Sequence, residues 1–391
     1  MYKIQTLNNI SRNGLDRLPA NLYRVANDVA DADAVLVRSA DMHKTPIAPS
    51  IKAVARAGAG VNNIPVAELS ARGIPVFNAP GANANAVKEL VVAGMLLAAR
   101  NLGDALGFVR DLGTGDDLHH RVEAEKKRFV GSELSGKVLG VVGLGAIGVK
   151  VANAAYALGM RVLGFDPHMT IEGAWQLSSD VAKAGSLGEL FASSDYITFH
   201  VPLNDRTRGI FGPQALASAR QGVVLLNFAR EGIVDAATLR DGLASGRIGR
   251  YVSDFPEADL LGNPRVIALP HLGASTGEAE ENCAVMVVDQ LRDFLEHGNI
   301  RHSVNFPETR MSRAGTARIC VANQNRPNMI GQLSHVLGEA SVNIAQMHNA
   351  SRADIAYTLV DVDTPVTDSL VSAIAAIDGI LSVRVIPGWT Q

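Results

Sequence analysis

Apolar and polar positions alternate along the first hundred residues in a strand–helix rhythm. ADAVLVRSA (32–40), IKAVARAGAG (51–60) and IPVFNAP (74–80) are short apolar runs closed by Gly, Pro, Ser or Asn. Polar stretches such as VNNIPVAELSARG (61–73) lie between them and read as helices, and a strong helical pattern runs from Asn85 to Arg100. Strand–helix alternation predicts a parallel sheet covered on both faces. A second set begins at Gly136: KVLGVVGLGAIG is a buried strand entering a glycine turn, and MRVLGFDP, SDYITFHVP, QGVVLLNFAR, RYVSDF and NPRVIALPH supply five more strands. Their spacing suits a doubly wound sheet. TGEAEENCAVMVVDQLRDFLEHG (276–298) reads as one long helix with Gly298 as its C-cap. After the aperiodic, polar segment 299–315, the tail reads strand, helix, strand, strand, helix, strand, the order of a ferredoxin-like βαββαβ unit.

With 391 residues the chain is long enough for two or three domains, each with its own core. Its 47% hydrophobic and 19% charged residues are those of an ordinary globular protein. The net charge of −3 and the absence of a long basic run argue against nucleic acid as a partner. Lys126, Lys127 and Arg128 form a short basic cluster that reads as a solvated face. The two cysteines, Cys283 and Cys320, sit far apart in apolar surroundings, which suits a reducing compartment and neither a disulfide framework nor a metal site. MYKIQTLNNI is too polar for a signal peptide, and the apolar run VVAGMLLAA is too short to span a bilayer. The chain reads as cytoplasmic, without a membrane partner.

VVGLGAIG places Gly143, Gly145 and Gly148 as G-x-G-x-x-G between a strand and a helix, with Ala146 and Ile147 opening the helix. The first glycine serves the tight turn, the second close approach of a pyrophosphate, the third helix–strand packing. The helix N-terminus offers its amides and positive dipole end to the phosphates. About 20 residues on, the next strand ends in Asp166, the acid expected to take the ribose hydroxyls. That carboxylate repels a 2′-phosphate, which favours NAD over NADP. The alternative for Asp166 is a turn residue before Pro167.

Three groups stand at the C-terminal ends of later strands, where open α/β sheets bind ligands. Arg230, after Ala229 in LLNFAREGIVD, is placed to grip a carboxylate with its planar fork; alternatively it is a surface arginine paired with Glu231. His271 in ALPHLGAST suits reversible proton transfer near neutral pH. YVSDFPEADLLG carries three carboxylates, Asp254, Glu257 and Asp259.

At GLGAIG, HVPLNDRTRGIF, LLNFAREGIVD and PHLGAST, in that order and spacing, the chain resembles the D-2-hydroxyacid dehydrogenase family. The resemblance spans nearly the whole chain, and the tail resembles an ACT domain, a small amino-acid-binding regulatory module. It implies two doubly wound domains, a flavodoxin-like substrate domain (1–102 with 278–300) and a Rossmann NAD domain (103–277), then a linker (301–315) and the ACT domain (316–391). It implies further that His271 takes the C2 hydroxyl proton as hydride leaves C2, that a carboxylate holds the other imidazole nitrogen, and that Arg230 binds the substrate carboxylate. Asp254 matches the acid that contacts the nicotinamide carboxamide, and Val201, Pro202 and Thr207 fall in the cofactor-lining loop. The family's Asp-Val-Phe-x-x-Glu-Pro is disturbed here to Asp254-Phe255-Pro256-Glu257-Ala258-Asp259, so the partner of His271 is Glu257 or Asp259, with Glu257 preferred. Arg38, Ser39, Arg56 and Gly58 resemble the substrate-binding loops, and two arginines favour a dianionic acid, 3-phosphoglycerate, as the small-molecule substrate. Asn325 and Asn343 fit asparagines that bind L-serine between paired ACT domains. Asn323 and Asn328 depart from that pattern. A homodimer or homotetramer follows from the same resemblance. A glyoxylate or hydroxypyruvate reductase, and an NAD-sensing regulator without turnover, are the competing readings.

Overall fold

The computed structural model describes residues 1–114 and 117–388. It divides into two compact units, Met1–Asn83 with Glu280–Gln391, and Ala84–Ala279. The last three residues of the tail range lie outside the described residues.

In the first unit, β1 (Tyr2–Leu7), β2 (Tyr23–Ala26), β3 (Ala34–Val37), β4 (Ala53–Arg56) and β5 (Val76–Phe77) form a sheet in the order β2-β1-β3-β4-β5. All its pairs are parallel. This is the flavodoxin-like order, with its crossover between β1 and β3. The long helix Gly277–His297 forms as the sequence pattern predicts. Its Cys283, Ala284, Val287, Val288, Leu291, Phe294 and Leu295 recur at helical spacing and are buried with Ile4, Leu36, Ala55 and Phe77.

The tail strands β13 (Ala317–Gln324), β14 (Ile344–Arg352), β15 (Ile355–Val362) and β16 (Ile380–Pro387) form an antiparallel sheet in the order β14-β15-β13-β16. One face packs on the helices Met329–Glu339 and Asp368–Ala375 through Ile319, Val321, Leu333, Leu337, Val360 and Ile374. Alternate residues of the same strands, Cys320, Ala322, Tyr357 and Leu359, point the other way and join the core built on Phe77, Phe294 and Phe306. The expected ferredoxin-like unit is therefore an ACT-like sheet whose strands β13 and β15 are covered on both faces, while the edge strand β14 buries no residue.

The join is polar as well as apolar. A helix leaves its last carbonyls unpaired and its C-terminal end partly negative. Here Gly298, at φ +77°, returns its amide to the Phe294 carbonyl at 2.8 Å. Arg384 of β16 donates to the Phe294 and Leu295 carbonyls, Arg313 to Glu296 at 3.4 Å, and Arg318 of β13 to His297 at 2.7 Å. Arg318 and Asp361 are fully buried and meet through two bonds of 2.6 and 2.8 Å. The segment 299–315 between helix and tail makes bridges Phe77–Ser303 and Ile300–Thr309 and buries Phe306.

The second unit holds β6 (Val138–Val142), β7 (Arg161–Phe165), β8 (Ala182–Lys183), β9 (Tyr196–Phe199), β10 (Val223–Asn227), β11 (Ile248–Ser253) and β12 (Val266–Ala268). Their order, β12-β11-β10-β9-β6-β7-β8, is the Rossmann order extended by one strand. The helix Ala84–Arg100 packs over β10 and β11; Gly94 meets the Phe228 ring, where a Cβ would stand 3.0 Å from it. Helices at Leu102–Asp111 and Leu118–Glu125 were not expected from the sequence. Neither buries a residue in this chain, so neither carries the inward apolar stripe by which a core helix announces itself.

Candidate active site

The glycine turn is built as the nucleotide fingerprint requires. Gly143 has φ +92°, and a Cβ there would stand 2.8 Å from the His200 carbonyl. A Cβ on Gly148 would run into the Gly143 carbonyl, so the third glycine is what lets helix and strand touch. Gly145 faces open space, as a residue approached by a ligand should. It caps the helix Ala146–Ala157 without any side-chain hydrogen bond, which leaves the first amides available to phosphate. Asp166 accepts from the Leu144 amide at 2.8 Å and from the His168 amide at 2.8 Å. It therefore braces the glycine turn and makes its own turn after β7; each oxygen keeps a lone pair for a ribose hydroxyl. In the loop after β9, Thr207 donates to the Pro202 carbonyl and accepts from the Asn204 amide at 2.9 Å, fixing the stretch that begins at Val201.

The ends of β10, β11 and β12 carry the other groups. Asn227, buried at the end of β10, donates to the Arg230 carbonyl at 2.9 Å and accepts from the Ala229 amide at 3.2 Å. That closes the turn which presents Arg230. The Arg230 side chain is exposed, donates to the Ala229 carbonyl at 2.6 Å, and makes no ion pair with Glu231. Asp254 is 1% exposed; one carboxylate oxygen accepts from the Gly273 amide at 3.1 Å and the other has no partner. Burial pushes this carboxyl up, against the Gly273 amide and the His271 charge that hold it down. An orphaned acceptor at that depth fits an amide N–H₂ donor, such as a nicotinamide carboxamide. His271 is exposed, and its ring centroid lies 4.7 Å from that of Phe255. Glu257 is half-buried; burial pushes its carboxyl up, and Glu231 adds to the effect. Asp259 is exposed and reaches Arg240 at 3.3 Å. Among the described residues no hydrogen bond joins His271 to a carboxylate.

In the first unit, Arg38 and Arg56 lie side by side at the ends of β3 and β4. Arg56 donates to the Arg38 carbonyl at 3.0 Å, and a Cβ on Gly58 would strike the Arg56 guanidinium. Asn8 accepts from the Ser39 and Ala40 amides at 3.1 and 2.6 Å, which fixes the loop. Arg38 forms an ion pair with Glu280 on the long helix. In the tail, Asn325 donates to the Ala353 carbonyl at 2.9 Å, and Asn343 to Asp363 at 2.5 Å; both are exposed.

Residues 96–273 match the model of the D-isomer specific 2-hydroxyacid dehydrogenase NAD binding domain. A D-3-phosphoglycerate dehydrogenase of Haemophilus influenzae is 33% identical over 351 residues, covering 87% of this chain and 82% of the relative. The chain belongs to the D-isomer specific 2-hydroxyacid dehydrogenase family. Among solved structures, the NAD⁺-bound 3-phosphoglycerate dehydrogenase of Entamoeba histolytica has a TM-score of 0.58 at 25% identity, covering 78% of this chain and 98% of that one. A glyoxylate reductase of Paecilomyes thermophila has a TM-score of 0.65 at 26% identity, covering 78% of this chain and 98% of that one. This family member is an NAD-dependent dehydrogenase, and the turn at Gly143–Gly148 with Asp166 and Asp254 fits that cofactor. Among the described residues no single helix is long and apolar enough to cross a membrane.

In this dehydrogenase four residues near the candidate groups escaped sequence reasoning: Asn227, Phe255, Glu280 and His200. Only Asn227 left a signal, a polar residue at the end of the apolar run VVLLN. His200, next to the glycine turn, is half-buried; its Nε2 meets the Thr198 hydroxyl at 3.0 Å and its buried Nδ1 has no partner. Burial lowers its pKa to about 3. The folded state thus holds His200 neutral while the unfolded chain protonates it below its ordinary value of 6.5. The stability this contributes is complete above pH 6.5 and is lost as pH falls towards 3, by about 1.4 kcal/mol per pH unit. Urea unfolding of His200→Gln against the parent, at pH 7 and pH 4.5, should show a shallower acid loss in the variant. Equal slopes would remove His200 as the cause.

Proposed function

We propose that this dehydrogenase oxidises D-3-phosphoglycerate to 3-phosphohydroxypyruvate, the step that opens L-serine biosynthesis, in the cytoplasm. NAD, when bound, supplies the hydride acceptor. His271 takes the proton from the C2 hydroxyl, Arg230 grips the substrate carboxylate, and Glu257 supports the imidazolium. The half-buried Glu257, whose carboxyl burial pushes up, needs a neighbouring cation to hold its charge, which a protonated His271 would supply. Arg38, Ser39, Arg56 and Gly58 take the phosphate end. Residues 1–102 with 278–300 serve as the substrate domain, 103–277 as the NAD domain, 301–315 as linker and 316–391 as regulatory domain, with L-serine bound at Asn325 and Asn343.

The single observation that carries the substrate choice is the pair of adjacent arginines, Arg38 and Arg56, on a scaffold 33% identical to a D-3-phosphoglycerate dehydrogenase. Two cations suit a second, dianionic end on the substrate; lactate and glycerate lack one. Initial rates of NADH formation with 3-phosphoglycerate, glycerate and lactate test this. The expected ranking of kcat/KM puts 3-phosphoglycerate at least a hundredfold first, from charge-assisted bonds worth about 3 kcal/mol. Parity with glycerate defeats it. Reduction of glyoxylate or hydroxypyruvate, the reading favoured by the glyoxylate reductase likeness, would show as faster NADH consumption with those oxo acids. No turnover with any acid points to a regulator.

A homodimer is proposed from the helix Leu102–Asp111, where Leu102, Leu106 and Val109 are 39%, 62% and 57% exposed at helical spacing. An apolar stripe of this kind on a surface helix supports a contact that covers it, here with a second copy of the chain. Leu106→Asp should halve the mass measured by light scattering; an unchanged mass rejects this surface.

A further inference from the structure

Within the first unit, the start of β16 faces the loop Pro49–Lys52 and the turn Arg72–Ile74 across a cavity of about 360 Å³. That volume lies at the lower end of the range for small-molecule sites. Three cations line it, Lys52, Arg72 and Arg384, with the hydroxyls of Ser50 and Ser382 and apolar walls at Ile74 and Leu381. No acidic residue is in the lining. Lys52 reaches Asp33 at 2.6 Å, and Arg72 reaches Glu68 at 3.7 Å and the Ile47 and Ala48 carbonyls at 3.0 Å; both acids stand outside the cavity wall. Among the described residues Arg384 pairs with no carboxylate: it bonds two helix carbonyls and lies 4.2 Å over the Phe294 ring. The Ser50 hydroxyl is buried without a partner, so one donor stands unused at the same cavity. The wall therefore has a surplus of positive charge and of donors.

We propose that this cavity is a second ligand site, for a small dianion carrying a short apolar body or none. A carboxylate or phosphate oxygen supplies the acceptor that Ser50 lacks and the counter-charge that Arg384, bonded to carbonyls, does not have. A zwitterionic amino acid is disfavoured, because no carboxylate in the lining would take its ammonium. The site is thus distinct in chemistry from the tail asparagines. It does not rest on the dehydrogenase reading. Because Ser50, Lys52 and Arg72 come from the first lobe and Ser382 and Arg384 from the tail, the ligand ties the two together. Arg384 also caps the helix whose first turn holds Glu280 against Arg38, so occupancy of the cavity bears on Arg38 through one rigid element.

The full chain is titrated with sodium phosphate and with sodium succinate, against sodium chloride at matched ionic strength and against L-serine, following the unfolding midpoint and the heat of binding. A saturable rise with phosphate or succinate beyond that with chloride is expected, and the better of the two identifies the head group. Lys52→Gln should weaken the apparent Kd about tenfold. Ser382→Asp sets a carboxylate among the cations, and should raise the midpoint without added anion and abolish the response. Arg230→Ala should keep it. A response no larger than chloride's, an unaltered response in Ser382→Asp, or loss of the response in Arg230→Ala overturns the proposal, the last by moving the anion to the substrate site. Should Ser382→Asp fail to fold, an unchanged Kd in Lys52→Gln rejects it.

Discussion

His271→Asn is expected to lower kcat by about a thousandfold, the share a positioned proton acceptor contributes, with NADH affinity changed less than tenfold. The companion measurement separates the acids. Oxidation needs the neutral imidazole as proton acceptor, and a carboxylate beside the ring fixes its tautomer and stabilises the imidazolium that forms. Glu257→Gln is expected to cut kcat; Asp259→Asn, whose carboxylate is exposed and faces Arg240, is expected to leave it. The reverse pattern transfers the role to Asp259. If neither variant lowers kcat, the imidazole is held without an acid. The ring contact between Phe255 and His271 then becomes the positioning element, and Phe255→Leu should lower kcat.

Asp361→Asn should cost about 3–5 kcal/mol of stability, the price of leaving a buried guanidinium unpaired. Arg318 lies wholly inside the protein, with Asp361 on one side and the carbonyls of His297, Met311 and Ser312 on the other. Those carbonyls fix its position but cannot neutralise it. Urea unfolding followed by circular dichroism measures the loss. The double replacement Arg318→Met with Asp361→Leu should recover part of it, because both charges then leave the interior together. A single-variant loss under about 1 kcal/mol would mean that water reaches the pair.

Much of the fold was legible because its signals are local. The fingerprint at Gly143–Gly148, the apolar runs that became β3, β6 and β10, and the stripe of the helix Gly277–His297 each fit within a few turns of chain. Contacts between remote residues left no such trace. Glu280 meets Arg38 across 242 positions, and nothing near either residue announces the pair. The acid cluster at 254–259 resisted for another reason. Side chains in an irregular loop point where the backbone turns, so spacing alone cannot say which acid faces a histidine 12 to 17 positions on. The helices at 102–125 stayed hidden because their apolar residues face outward, and core-seeking periodicity does not find them.

The capped end of the helix Gly277–His297 also bears on how such chains diversify. A recombination event that exchanged the tail for that of a distant relative would have to bring Arg313, Arg318 and Arg384 in one piece. A foreign tail lacking them leaves the Glu296 and His297 carbonyls without donors, takes one of two donors from Phe294 and Leu295, and bares a face around Phe294 and Phe306 that water must cover. The tail is thus inherited with the lobe it seals, and tail-swapped chimeras should be recovered mainly as insoluble protein unless the helix end is carried over with its arginines.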